Sequence, residues 1–212
     1  MIAKFQNRLE AAHLLAQQLQ HLGLQPPGVV LAIPRGGVPI GAVLAQALGW
    51  PLELALTKKI GHPSNPEYAV GAVSETGYVL TPGLVLPTEY LAEQIPRLQA
   101  QLRERRLQFA GTQPATPLRG RTVVITDDGV ATGHTMLATL ELVLVQQSAR
   151  VVVAVPVSSA EALRLMAARV DEVVSLLVPP DFHAVGQYYH DFSETTDADV
   201  TAALAQVRGP TS

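Results

Sequence analysis

The sequence predicts an α/β protein: a mostly parallel sheet with helices on both faces. Short, largely apolar runs of strand length recur at 28–33, 52–57, 122–126, 151–157 and 172–177. Strands this apolar are expected to be buried on both faces, which is the condition of a parallel sheet. Between most of them lie segments with apolar residues at helical spacing, the alternation that builds βαβ units.

In chain order, Leu9, Ala12, Leu15, Ala16, Leu19 and Leu22 repeat at helical spacing and Gly23 stops them, so 6–22 reads as an amphipathic helix. The first strand follows and is closed by Pro34. Residues 39–48 read as helix and 52–57 as the second strand, ending at Lys58 and Lys59. The next stretch carries Gly61, Pro63, Ser64, Asn65, Pro66, Gly71 and Gly77, a density of breakers that suggests a long mobile loop or a ribbon. Residues 89–110 are polar and helix-prone, with Pro96 as an expected bend. Strand 122–126, a helix from about 132 to 145, strand 151–157, helix 160–168 and strand 172–177 then restore the alternation. A tail at 179–197, rich in aromatic and acidic residues, precedes a short final helix.

The 212 residues suit a single domain, 1–212, and a composition 48% hydrophobic and 16% charged supplies a core, so disorder should not dominate. A net charge of −3 offers polyanions no global attraction, and no nucleic-acid partner is expected. The absence of cysteine excludes a disulfide framework, a thiolate zinc site and a cysteine nucleophile, and suits a reducing interior. The N-terminus turns polar too soon for a signal peptide, and the apolar runs are too short to cross a bilayer. A cytoplasmic protein without a membrane partner is expected.

The most informative stretch is 123–136, Val-Val-Ile-Thr-Asp-Asp-Gly-Val-Ala-Thr-Gly-His-Thr-Met. An apolar strand delivers two carboxylates, then a loop of small residues, then a helix start. Gly129 and Gly133 let the backbone turn so that amides converge on one anion. Thr132 and Thr135 add hydroxyl donors where the helix dipole favours negative charge. Asp127 and Asp128 place acceptor oxygens beside that anion, suited to vicinal hydroxyls or magnesium. A phosphate next to a diol describes a phosphorylated ribose. A plain strand–turn–helix needs neither two adjacent acids nor two threonines.

This string closely resembles the signature of the type I phosphoribosyltransferases, with Thr126 replacing one apolar position. The resemblance implies their fold, with a flexible lid at 60–77 and a small C-terminal hood at 179–197. It implies transfer of the 5-phosphoribosyl group from 5-phosphoribosyl diphosphate (PRPP) to a nitrogenous base, with Mg2+ and release of pyrophosphate. Asp127 and Asp128 become the catalytic pair. Gly129, Val130, Ala131, Thr132, Gly133, His134 and Thr135 form the 5-phosphate cradle. Arg35, Gly36 and Gly37 resemble the family's pyrophosphate loop, where a strained cis peptide would fall at Arg35–Gly36. Lys58 or Lys59 would contact pyrophosphate.

The tail resembles the hood of hypoxanthine-type members, offset by one residue, so Phe182 and His183 compete to stack on the base, with Tyr188 beside them. Asp191 matches a magnesium-contacting aspartate. Ala131 and Ser158, in contrast, depart from the oxopurine pattern, so the acceptor is left open. Relatives are often dimers, which allows a homodimer here. The rival reading is a non-catalytic module of the same fold that senses PRPP or a nucleotide. A PRPP-synthesising diphosphokinase would need an ATP site that the sequence does not offer. A zinc or iron site from His183, His190, Asp181 and Asp191 has no ligand spacing to support it.

Overall fold

The structure is a computed structural model that describes residues 4–208. Its elements in order are α1 (Arg8–Gln20), β1 (Gly28–Ala32), α2 (Gly37–Leu48), β2 (Leu52–Leu54), β3 (Lys58–His62), β4 (Asn65–Val73), β5 (Tyr78–Leu80) and α3 (Thr88–Ala110). The second half gives β6 (Thr122–Thr126), α4 (His134–Leu144), β7 (Arg150–Val157), α5 (Ala160–Ala167), β8 (Glu172–Leu177), a 3-10 turn (Val185–Tyr188) and α6 (Asp197–Arg208). The main sheet is parallel throughout, in the order β2-β1-β6-β7-β8.

Alternation along the strands sends one set of side chains to each face. Val30, Ala32, Val124, Val152 and Ala154 pack with α1, α2 and α6. Val29, Leu31, Val123, Ile125, Val151 and Val153 pack with α4 and α5. Each fully buried branched side chain contributes roughly 1.5–3 kcal/mol, which is why these runs carry almost no polar residue. Because β1 and β6 are neighbours while α2 and α4 lie on opposite faces, the two strand-end loops diverge and leave a crevice. That is where open parallel sheets bind ligands.

Several boundaries differ from the sequence reading. The first helix starts at Arg8 because Asn7 caps it, Oδ1 accepting from the Glu10 amide at 3.0 Å. The second starts at Gly37, since Pro39 sits in the first turn where its missing N–H costs nothing. β2 ends at Leu54, so Lys58 and Lys59 do not close it; they open β3. Of the loop or ribbon that the breaker-rich stretch allows, it takes the ribbon, three-stranded and antiparallel in the order β3-β4-β5. Its apolar Ile60, Val70 and Val73 bury against Leu102 of α3, and that face holds the ribbon in register. α3 is not interrupted at Pro96. Among the described residues, no helix is long and apolar enough to cross a membrane.

Candidate active site

β6 ends in the buried Thr126, and the next two residues are the paired acids. The Asp128 amide donates to Asp127 Oδ1 at 2.8 Å, which turns the chain off the sheet. The loop is then fastened to the end of β7. The Val130 amide donates to Val157 O at 2.9 Å, the Ser159 amide to Val130 O at 2.9 Å, and Ser159 Oγ to Ala131 O at 2.6 Å. With these carbonyls engaged, the loop turns through Gly133, whose φ of 81° lies in the left-handed region, into α4. No side chain caps that helix. Its first amides, from His134 onward, lack intrahelical acceptors as at any helix start, so they and the exposed Thr132 and Thr135 form a cradle for an anion. Thr132 Oγ1 lies 3.3 Å from His134 Nδ1.

The β1 loop closes on the same acids. A Cβ on Gly36 would lie 2.0 Å from Asp128 Oδ2, and one on Gly37 would lie 2.8 Å from Asp127 Cα. The two glycines therefore bring the loops together through the carboxylates, a closer approach than the sequence reading assigns them. The cis peptide is Pro34–Arg35, one bond earlier than expected.

Sequence reasoning missed Arg8. From the first turn of α1 it donates to Asp128 Oδ2 through Nε (2.9 Å) and Nη2 (2.7 Å), and through Nη1 to Ser193 O (2.7 Å). Its guanidinium stacks 4.0 Å from the centre of the Phe192 ring. Tyr189, also unassigned, donates its hydroxyl to Asp128 O at 2.6 Å. One signal was available. A cation in the first turn opposes the helix dipole, so an arginine there needs a partner elsewhere.

These contacts make the two acids unequal. Burial, and then the adjacent Asp128 charge, push Asp127 well above the usual carboxylate range. Burial also raises Asp128, but the hydrogen bonds and charge of Arg8 pull against it. Burial drives the Tyr189 hydroxyl up as well, so it stays a donor.

The remaining candidates are less tightly gathered. Arg35 pairs with Glu194 and lies 3.5 Å from Asp197, on the wall of a cavity of about 400 Å³ that Arg8, Gly36, Asp128 and Phe192 also line. Lys58 donates to Gln101 at 2.6 Å and Lys59 to Glu67 at 2.8 Å, partners in α3 and the ribbon rather than in the loops. As neighbours on a strand they face opposite ways, so only one can serve a given side.

The tail corrects one expectation. Tyr188 is 1% exposed, packed with Phe5, Ala11 and Val157 and stacked on Phe182 at 5.4 Å, so neither face of its ring is open to a base. Its local sequence resembles a hood, but Phe5 bridges to the neighbouring Tyr189 and packs with both rings in one buried cluster. Phe182 is half-buried and His183 exposed. Asp191 is exposed, and hydrogen bonds from Ser193 hold its carboxyl below the usual range. Among the described residues, no three His, Cys, Asp or Glu side chains cluster as a metal cage.

The phosphoribosyl transferase domain model matches residues 3–193. A Mycobacterium tuberculosis protein with the provisional name phosphoribosyl transferase is 38% identical over 205 residues, 94% of this chain and 46% of its own. The chain thus spans about half the length of that relative. The crystal structure of TT1426 from Thermus thermophilus is 46% identical and superposes with a TM-score of 0.86, covering 97% of this chain and 100% of that one. A hypothetical protein from Neisseria gonorrhoeae, solved with bound ppGpp, shares the fold alone, at 16% identity and a TM-score of 0.50 over 86% of each chain. With its paired acids and helix-start cradle lying inside the matched region, the chain belongs to the phosphoribosyl transferase domain family.

Proposed function

We propose that the protein transfers the 5-phosphoribosyl group of PRPP to a nitrogenous base and releases pyrophosphate, in a cytoplasmic setting. The observation that supports this most is the meeting of the β1 and β6 loops. Two glycines admit two carboxylates beside an uncapped helix start. In this reading the amides and hydroxyls of 131–135 hold the 5-phosphate. The acids lie beneath the ribose ring, and Arg35 with Lys58 or Lys59 neutralises the leaving pyrophosphate.

Breaking the C1–O bond before the base nitrogen bonds to C1 leaves the ring cationic. Asp128, held by Arg8, supplies a fixed negative charge against it. Asp127, favoured in its protonated form, is suited to hydrogen-bond a ring hydroxyl.

The residues fit magnesium only as a shared ion. With no protein cage among the described residues, the donor's own oxygens would supply most ligands and Asp191 the remainder, as magnesium sites on phosphates usually do. When bound, magnesium would offset the charge of the leaving group. In this reading Phe182 and His183 are the tail residues assigned to the base.

The test is pyrophosphate release from PRPP and Mg2+ across a panel of purine, pyrimidine and other nitrogenous bases. Release with one base is expected, falling at least tenfold in Asp128→Asn, about 1.4 kcal/mol. PRPP binding without release on any base would favour the sensing module instead.

A further inference from the structure

A cavity of about 490 Å³ shares no lining residue with the one beside Arg35. Its volume falls in the range typical of small-molecule sites, about 300–1,000 Å³. The floor is apolar, formed by Leu31 and Leu54 of the sheet with Leu142 and Val143 of α4. One corner is polar and deeply set.

In that corner Glu53 is saturated. Its Oε2 accepts from Arg106 Nη1 and Nη2 at 3.2 Å each, and its Oε1 from the amide and hydroxyl of Thr116 at 2.9 and 2.8 Å. The Glu53 and Arg106 side chains are only 8% and 10% exposed. Arg106 also donates to Gln113 O at 3.2 Å. The second carboxylate is different. Glu75, in the turn between β4 and β5, lies 3.8 Å from Arg106 Nε, too far for a hydrogen bond. Its Oε1 is buried with no hydrogen-bond partner among the described residues.

Two carboxylates therefore share one guanidinium that is already committed to the first. Arg119, also in the lining, is exposed, and the exposed Arg103 acts on Glu75 only at a distance. Burial pushes the Glu75 carboxyl up despite both Arg106 and Arg103, the mark of an acid that its surroundings serve poorly. A buried polar atom without a partner costs about 1–3 kcal/mol, so a bound group that supplied a donor to Oε1 would be favoured by that amount. An anion would meet two carboxylates and an arginine largely committed to Glu53. A cationic donor would balance the odd charge and complete the carboxyl.

We propose that this cavity is a second small-molecule site, taking a compact apolar body with one cationic hydrogen-bond donor, an amine or amidinium, that Glu75 accepts. The full chain is titrated with benzamidinium and with n-butylammonium, followed by calorimetry and by amide NMR shifts at Glu75, Thr76 and Thr116. Saturable one-to-one binding of at least one cation is expected, at least tenfold weaker in Glu75→Gln and tenfold weaker for the neutral analogue benzyl alcohol. Ala115→Trp, on the exposed part of the lining, should block entry and abolish binding while leaving the buried Glu53–Arg106 pair intact. If neither cation moves those amides at millimolar concentration, or if both variants bind as the parent does, the assignment is wrong.

Discussion

The strand-end loops and the C-terminal tail both resemble family motifs, yet they relate to their sequences in opposite ways. In the loops, the residues that set the turn, glycines, adjacent acids and a helix start, lie within a few residues of one another, and the end of β7 then fastens them. In the tail, the conformation is set from far away. Phe5 brackets it, with its amide donating to Tyr188 O and its carbonyl accepting from His190 N, both at 2.8 Å. Arg8 then ties Ser193 and Phe192 to Asp128. A local motif can be read as a site. A segment held by distant partners reads as one thing and packs as another.

The sharpest way to break this contrast is Tyr188→Ala. If the ring is a core anchor, truncation should cost about 3–5 kcal/mol in urea unfolding, as for other large buried side chains. Parent-like stability joined to altered base affinity would return Tyr188 to a hood and erase the distinction between tail and loops.

Next in size is Arg8→Ala, which joins the two regions. It leaves Asp128 largely buried without its cation, and about 3 kcal/mol should be lost. Lysine keeps the charge but neither the paired donors nor the planar stack on Phe192, so Arg8→Lys should fall between. Equal melting curves for Arg8→Ala and the parent would show that the tail is fastened by Phe5 alone.

The contrast also explains what the sequence disclosed. The bounds of β6 and β8 match the reading residue for residue, because apolar runs between turn formers leave few alternatives. The place of Asp127 and Asp128 at a strand end, just ahead of a helix start, was legible for the same reason. Lys58 and Lys59 belong to a different strand from the one the sequence suggests, since β2 stops where its pairing with β1 stops, and pairing is invisible in a single segment. The ribbon was only half legible. Its breakers can be counted, but the buried face that Ile60, Val70 and Val73 present to Leu102 depends on a helix further along the chain. Arg8 stands 120 residues from Asp128, beyond any spacing rule, and only its quarrel with the helix dipole hinted at a partner. Glu75 lies in the stretch that reads as a lid, yet it is half-buried beside Arg106, which again lies in α3.

The smallest expected effect tests whether the loop acids are as unequal as their contacts imply. Asp127 has a folded pKa raised by burial and by the charge of Asp128. Such a group takes up protons on folding. Its contribution to stability is fullest below the unfolded value near 3.9, and it is lost as pH rises through the folded value. Asp127→Asn removes that loss while keeping an oxygen to accept from the Asp128 amide. The variant should therefore match or fall slightly below the parent at pH 4 and gain on it steadily toward neutral pH, as read by urea unfolding across that window. Glu75 and the shifted groups remote from Asp127 are common to both proteins and cancel in the difference, while the coupling of Asp127 to Asp128 is part of what is read. Parallel stability curves would mean that Asp127 is not held in its protonated form, and the loop would then carry two equivalent carboxylates rather than one charge and one donor.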